Sequence, residues 1–303
     1  LISVDWGTSA FRAWLAAADG SALDAVETAV GATGLPSGAH EAFLEAQIGG
    51  WMRRFPSLPI MLSGMVGSRQ GWVEAPYVAC PAGAAEIAAA TTTVPAAGIG
   101  RVVVVPGLSA RDKRDAPDVM RGEETQILGA LRASGRADGL FVLPGTHSKW
   151  ARVEAGRIVD FATFMTGEAF AALKDHSLLG RLMAPPDATD AASAADGFAR
   201  GLAASAALER PGDLLHAIFM TRTLGLFHEL PAPALADYLS GLLIGAEMLA
   251  GAKGAREAFV VGSPTLTARY RAAGAALGVA LAPAPENCAT LGQIALLERM
   301  GAL

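Results

Sequence analysis

Ile2-Ser-Val-Asp-Trp-Gly-Thr-Ser9 and Leu140-Phe-Val-Leu-Pro-Gly-Thr-His-Ser148 are two versions of one stretch, 138 positions apart. In each, a short apolar run feeds a Gly-Thr turn with hydroxyls beside it. A second apolar run follows (11–17; 149–153), then a Gly-containing turn at Asp19-Gly20 or Ala155-Gly156, then a third run. The pattern predicts a strand meander in each copy, whose first turn can approach a phosphate closely. Two such turns facing each other would hold one polyphosphate from both sides, which points to nucleotide-dependent phosphoryl transfer.

Outward from the repeat, the first half predicts strands at 2–5, 11–17 and 22–30, a helix near 40–54, and buried strands at 59–62 and 101–105. The chain turns polar around 109–118. Apolar residues at Ile127, Leu128 and Leu131 then share one helical face, with Gly122-Glu-Glu-Thr-Gln126 at its start. The second half predicts the meander at 140–164 and a helix with Thr166 as its N-cap. An Ala-, Pro- and Asp-rich surface loop is expected at 185–196, and helices at 198–208, 213–227 and 234–252. A strand at 258–261, a helix at 265–277, a strand near 278–282 and a helix from about 288 close the chain. Strands alternating with helices in both halves argue for α/β architecture. Two domains of one topology are expected, with a central nucleotide cleft between them. The first spans 1–130 and is rejoined by a C-terminal helix at 289–303; the second spans 131–288.

Composition narrows the function classes. Hydrophobic residues make up 52% of the 303-residue chain and charged ones 17%, so a compact globular protein is expected. A formal charge of −5 supplies no attraction to nucleic acid or anionic membrane, and the five Trp form no ladder with basic residues. Cys80 and Cys288 are far apart and outside any metal-ligand spacing, so free thiols are expected. No uninterrupted apolar run approaches the ~20 residues that span a bilayer. The first residues form a strand-like run rather than the basic region of a signal peptide, so a cytoplasmic protein is expected.

Four segments carry chemistry. Asp5 at a strand end can hold Mg²⁺, in part through water, while Gly7, Thr8 and Ser9 offer amides and hydroxyls to phosphoryl oxygens. Gly145, Thr146, His147 and Ser148 form the second turn, and Lys149 adds a compact positive charge for a phosphate or an anionic substrate. Glu123 and Glu124 stand at a helix start and are rival candidates for the carboxylate that accepts a proton from the attacking hydroxyl. Residues one apart on a helix point in different directions, so one of the two suffices. Gly262-Ser263, after a strand and before a helix, can pack beneath an adenine or ribose.

The order Asp-x-Gly-Thr, carboxylate before a helix, Gly-Thr, strand–Gly–Ser–helix resembles the actin-like (ribonuclease H-like) ATPase superfamily that includes the hexokinases. That resemblance implies a phosphate-1 turn, a first connecting helix with the catalytic carboxylate at Glu124, a phosphate-2 turn and an adenosine segment. Ala289-Thr-Leu-Gly-Gln-Ile294 would be the second connecting helix. Hexokinase-like members carry Asn-Asp where this chain has Glu123-Glu124, whereas exopolyphosphatase-like members carry Glu-Glu.

More closely, the chain resembles the 2-dehydro-3-deoxygalactonokinase family. The resembling strings are Val4-Asp-Trp-Gly-Thr-Ser9 with Phe11-Arg-Ala-Trp14, Ser63-Gly-Met65, Met120-Arg-Gly-Glu-Glu-Thr-Gln126 and Leu143-Pro-Gly-Thr-His-Ser-Lys-Trp150. Phe164-Met-Thr-Gly-Glu168, His176-Ser-Leu-Leu-Gly180 and Ala236-Asp-Tyr-Leu-Ser-Gly-Leu-Leu-Ile-Gly245 extend the likeness over nearly the whole chain. It implies ATP- and Mg²⁺-dependent phosphorylation of 2-dehydro-3-deoxy-D-galactonate at its 6-hydroxyl. Such a substrate asks for a cation against its carboxylate, with Arg12, Arg69 and Arg121 as candidates. The turn containing Ser63, Gly64 and Met65 would serve its sugar oxygens. An exopolyphosphatase-like phosphohydrolase and a non-catalytic actin-like nucleotide-binding module stay open as alternatives. The apolar 239–250 helix suits a core or a homodimer interface equally.

Overall fold

The computed structural model describes residues 1–96, 98, 100–188, 190–210 and 212–302. Contacts divide the chain into two units, the first comprising 1–141, 151–162 and 284–303, the second 142–150 and 163–283.

In unit 1 the first meander is present as β1 (Ile2–Trp6), β2 (Phe11–Ala16) and β3 (Ala22–Thr28), followed by α1 (His40–Arg54) and β4 (Ile60–Ser63). Next come β5 (Tyr77–Ala79), β6 (Ala82–Gly83), α2 (Ala84–Ala89), β7 (Thr92–Ala96) and β8 (Gly100–Val104). The main sheet has the order β3-β2-β1-β4-β8-β7. The meander is antiparallel, while β1, β4 and β8 run parallel. Strand β4 reads as a nearly continuous apolar run because both faces of the sheet are covered there, and in β1 even Ser3, between Ile2 and Val4, is fully buried. The polar stretch expected at 109–118 is instead the hairpin of β9 (Gly107–Arg111) and β10 (Pro117–Met120), paired with β5 in a small sheet. Its turn is closed by Asp112, which accepts from the amides of Arg114 and Ala116 at 2.8 Å each.

Helix α3 (Glu123–Ser134) begins where the Glu pair predicted. It packs on α9 (Cys288–Arg299) with backbones nearly touching. A Cβ on Gly129 would lie 1.9 Å from the Cys288 carbonyl oxygen, and one on Gly292 1.9 Å from that of Thr125. Helix α9 in turn fastens β1 and β4. Thr290 Oγ1 donates to Ser3 Oγ at 3.0 Å, and Gln293 Nε2 donates to Val4 O at 2.9 Å and Ser63 Oγ at 3.0 Å.

The second meander is β11 (Gly139–Leu143), β12 (Ser148–Glu154) and β13 (Arg157–Phe164). Then follow α4 (Thr166–His176), α5 (Ala191–Ala206), α6 (Asp213–Leu226), α7 (Ala232–Ala252), β14 (Glu257–Val260), α8 (Pro264–Leu277) and β15 (Ala280–Pro283). This sheet has the order β15-β14-β11-β12-β13-β6, with β14 and β15 parallel. Strand for strand, β13-β12-β11-β14-β15 repeats β3-β2-β1-β4-β8. The duplication seen in the motifs is thus a duplication of topology, and the fold is the expected α/β one.

Two local expectations are corrected. Thr166 is the first residue of α4, not its cap; Met165 precedes it and no side chain caps the helix. The loop expected at 185–196 is cut short because its Ala run is helical from 191. Asp190 caps it by accepting from the amides of Ala192 and Ser193. Residue 189 of that stretch lies outside the described residues.

Helix α7, with a mean hydropathy of 1.2 over 21 residues, is long and apolar enough to cross a membrane by length and composition. No such segment was expected from the sequence. Yet 72% of its apolar window is buried inside the protein, mainly against α5, so its apolarity belongs to a core. Within the 239–250 segment, residues up to Met248 are thus mostly core, while Leu249 is 48% exposed. Backbones again approach closely here: a Cβ on Gly241 would lie 2.2 Å from Phe198 O and one on Gly201 2.1 Å from Tyr238 O. Both cysteines are free thiols, and burial pushes Cys288 up to about 12.

Candidate active site

In unit 1, β1 ends in a residue that cannot drift. Trp6 is fully buried, lies 5.1 Å from the Phe11 ring and 5.3 Å from that of Phe43, and donates its indole N–H to Val30 O at 3.1 Å. The turn that follows is closed by Gly7 N–H donating to Ala10 O (2.9 Å) and by Ala32 N–H donating to Gly7 O (3.0 Å). Thr8 and Ser9 are left exposed at its tip. Gly31 supports the turn from beneath, since a Cβ there would stand 1.6 Å from the Thr8 carbonyl oxygen. The sequence reading passed over Gly31, whose only signal was its place after a strand.

Asp5 stands in register between Arg12 of β2 and Ser63 of β4. Its side chain is 13% exposed, and Arg12 Nη1 is 3.3 Å from Oδ2. Burial pushes the Asp5 carboxyl above its ordinary range; Arg12 pulls it back and the charge of Glu123 adds to the rise. Two glycines bring α3 against this strand end. Gly64 (φ +94°) leaves no room for a side chain: a Cβ would lie 2.8 Å from Trp6 O and 3.3 Å from Asp5 Oδ1. A Cβ on Gly122 (φ +105°) would lie 3.1 Å from Gly64 Cα. The start of α3, with its Glu pair, therefore reaches the electrostatic neighbourhood of Asp5.

The two glutamates differ in access. Glu124 is fully buried, with Oε2 accepting from Gly122 N–H at 2.7 Å and Oε1 from the Thr125 hydroxyl at 2.9 Å. Burial, reinforced by Glu123, pushes its carboxyl from 4.5 up to about 8. Glu123 is partly exposed and accepts from Arg121 N–H at 2.9 Å.

The expected substrate contacts separate in the same way. Ser63 is buried, its hydroxyl directed at Val4 O (3.4 Å) and bonded by Gln293. Gly64 is buried against Trp6. Arg121 is 8% exposed; Nη2 donates to Ala75 O at 2.8 Å and the guanidinium lies 4.3 Å over the Tyr77 ring. Its Nε and Nη1 are enclosed without hydrogen-bond partners. The side chain pins the 64–77 segment rather than facing an open surface. Arg12, with a side chain 45% exposed, bridges Asp5 and Glu27. Met65 is half-buried and Arg69 exposed.

In unit 2, Gly145, Thr146 and His147 form an accessible turn and Gly262 with Ser263 lies beside it. A Cβ on Gly262 would be 3.5 Å from Pro144 Cδ. Ser263 caps α8, accepting from Leu266 N–H at 3.4 Å. The 166–168 segment braces the turn. Glu168 N–H donates to Thr146 O at 3.0 Å, a Cβ on Gly167 would meet Gly145 O at 2.3 Å, and His147 Nε2 donates to Glu168 Oε2 at 2.5 Å.

Ser148 and Lys149 do not join that accessible surface. Ser148 is fully buried and donates to Glu247 Oε1 at 2.6 Å, while Lys149, 5% exposed, donates to His147 O at 3.2 Å. Glu247 of α7 also accepts from Trp150 Nε1 at 2.8 Å and the Tyr270 hydroxyl at 2.7 Å. This carboxylate beneath the second turn escaped the sequence reading, because nothing local marks it within an apolar helix.

Among the described residues no three His, Cys, Asp or Glu side chains form a metal cluster. Mg²⁺ bound through one or two carboxylates and substrate phosphates needs none. Asp5, with its carboxyl destabilised by burial and by Glu123, fits as a donor to such an ion.

The comparisons agree with one another. The family model for 2-keto-3-deoxy-galactonokinase matches residues 5–296. A protein named probable 2-dehydro-3-deoxygalactonokinase from Rhizobium meliloti is 40% identical over 275 residues, covering 89% of this chain and 87% of that protein. The Escherichia coli 2-dehydro-3-deoxygalactonokinase is 35% identical over 280 residues, covering 91% and 90%. A Sinorhizobium meliloti protein, solved as a candidate 2-dehydro-3-deoxygalactonokinase, superposes with a TM-score of 0.85 at 35% identity, over 100% of this chain and 99% of that one. At 10% identity, the activator of the 2-hydroxyisocaproyl-CoA dehydratase from Clostridium difficile shares the fold, with a TM-score of 0.53 over 99% and 94% of the chains.

Proposed function

This chain belongs to the 2-keto-3-deoxy-galactonokinase family, and from that premise we propose that it is an ATP-dependent kinase which phosphorylates 2-dehydro-3-deoxy-D-galactonate at its 6-hydroxyl, in galactonate breakdown. Neither the phosphohydrolase nor the non-catalytic reading is favoured by its relatives. The observation that carries the chemistry is the gathering of Asp5, Glu123 and Glu124 from β1 and α3 around Gly64 and Gly122.

Phosphoryl transfer has a loose transition state, so the protein's work is to position the nucleophile and offset charge. Within unit 1, Gly7, Thr8 and Ser9 offer amides and hydroxyls suited to phosphoryl oxygens; within unit 2, Gly145 and Thr146 offer the same chemistry, and Gly262 with Ser263 a side-chain-poor surface suited to an adenosine. Asp5 would hold Mg²⁺, which would supply positive charge against the phosphates. Glu123 orients the 6-hydroxyl and receives its proton, because it is the member of the pair that reaches the surface. Glu124, sealed by Gly122 and Thr125, holds the start of α3 in place. Arg69, exposed beside the Ser63–Ser68 turn, takes the substrate carboxylate with help from Arg12, in preference to the enclosed Arg121.

A coupled ATPase assay with a panel of sugar acids tests the assignment. ADP release should rise sharply with 2-dehydro-3-deoxygalactonate, and phosphorus–proton correlation should put the new ester on C6. The reading is overturned if no sugar acid stimulates ATP consumption.

A further inference from the structure

Helix α6 is apolar on both sides, but only one side has a partner. Its inner face packs Leu214 and Ile218 against Leu239 and Leu243, and Leu224 against Leu230 and Leu235. Its outer face leaves Leu215 76%, Phe219 54%, Met220 38% and Leu226 50% exposed, and Phe227, just past its end, 74%. At 100° per residue these five fall within about 140° of arc, interrupted only by His216 and Thr223. A surface helix normally carries charge on that side. Here the cation at its edge, Arg222, donates to Leu178 O at 2.9 Å, and Asp213 is committed to the amides of Glu209 and Arg210.

We infer that this face of α6 is the contact between two copies of the chain, related by a two-fold axis. With side-chain areas of roughly 150–200 Å², the five residues leave about 500 Å² of apolar surface open. That is at the upper end of the largest apolar patch a typical monomer exposes, and such patches are often functional. With a polar rim, the face approaches the roughly 800 Å² each partner gives to a stable interface. An isologous contact requires a self-complementary patch, and this one is symmetric along its length. Antiparallel pairing about an axis near Met220 sets Leu215 of one copy against Leu226 and Phe227 of the other, with the two Phe219 rings packed beside the axis. A lipid surface is the poorer fit, since Arg222 at the edge of the face is bonded to Leu178 O rather than turned to headgroups. The interface goes beyond the kinase reading and does not depend on it.

Sedimentation equilibrium of the full chain at micromolar concentration should give about twice the 30.9 kDa chain mass. Phe219→Glu should weaken self-association about 100-fold, with turnover per chain and the circular dichroism spectrum retained. If that variant does not fold, Leu215→Ser with Leu226→Ser should move the equilibrium in the same direction. Met220→Cys should form a copy-to-copy disulfide under mild oxidation. A monomeric wild type overturns the inference, as does a dimer indifferent to these substitutions. Binding to phosphatidylcholine vesicles that Phe219→Glu abolishes would overturn it in favour of lipid.

Discussion

Replacing Glu124 by Gln should remove one component from the protein's dependence of stability on pH. The carboxyl is fully buried, and burial followed by the charge of Glu123 pushes it from 4.5 up to about 8. Between those two values the folded chain keeps a proton that the unfolded chain has released, so stability falls as pH rises. The contribution is fully present below the ordinary carboxylate range and gone above about 8. At 1.36 kcal/mol per pH unit the whole swing is about 4–5 kcal/mol. Gln has the same shape: its oxygen can still accept from Gly122 N–H, and its amide can donate to Thr125 Oγ. Guanidinium unfolding of both proteins at about pH 5.5 and about pH 9 reads the difference. Trp6, Trp14, Trp51 and Trp72 lie in unit 1 and Trp150 in unit 2, so indole fluorescence follows mainly the unit that holds Glu124. Relative to wild type, the variant should gain about 3 kcal/mol on passing from the lower pH to the higher. A difference that stays constant across that interval refutes the buried, proton-holding carboxyl.

Three further outcomes follow from the site and the packing. Glu123→Gln should lower kcat by about 10²–10⁴ with the KM for ATP within a few-fold, measured in the coupled assay, whereas Glu124→Gln should keep most turnover. The reverse pattern returns the base to Glu124. Glu247→Ala strands the donors of Ser148, Trp150 and Tyr270 and should cost about 3 kcal/mol, seen as a lower denaturation midpoint by Trp150 fluorescence in a background lacking the other tryptophans. Gly129→Ala drives a methyl to within 1.9 Å of the Cys288 carbonyl. It should destabilise unit 1 by about 3 kcal/mol or more, whereas an unchanged midpoint would show that α3 and α9 can separate without cost.

Much of the fold was legible because its signals are local and periodic. The Gly-Thr turns after short apolar runs gave both meanders, and the glutamate pair ahead of Ile127, Leu128 and Leu131 marked the start of α3. Strands β7 and β10 escaped because Pro and polar residues interrupt them, and β5 because three residues are too short to show a period; their partners are supplied from elsewhere in the chain. The Ala run at 191–206 was misread as loop in part because Asp190 resembles turn chemistry until its cap bonds are seen.

The linear chain by itself determined the duplicated scaffold, the order of its Gly-Thr turns and the positions of the hydroxyls, cations and carboxylates beside them. Only the tertiary structure decided which of those groups are enclosed and which reach the surface. Ser148 is claimed by Glu247, 99 residues away, and Ser63 by Gln293, 230 residues away. Arg121 is closed in by Tyr77 and Ala75 while Thr8, Ser9, Thr146 and Glu123 remain accessible. A side chain's burial and its hydrogen-bond partner are set by contacts between distant segments. Such contacts leave no trace in local spacing, so a hydroxyl bound for a phosphate and one bound for a buried carboxylate look alike until the chain is folded.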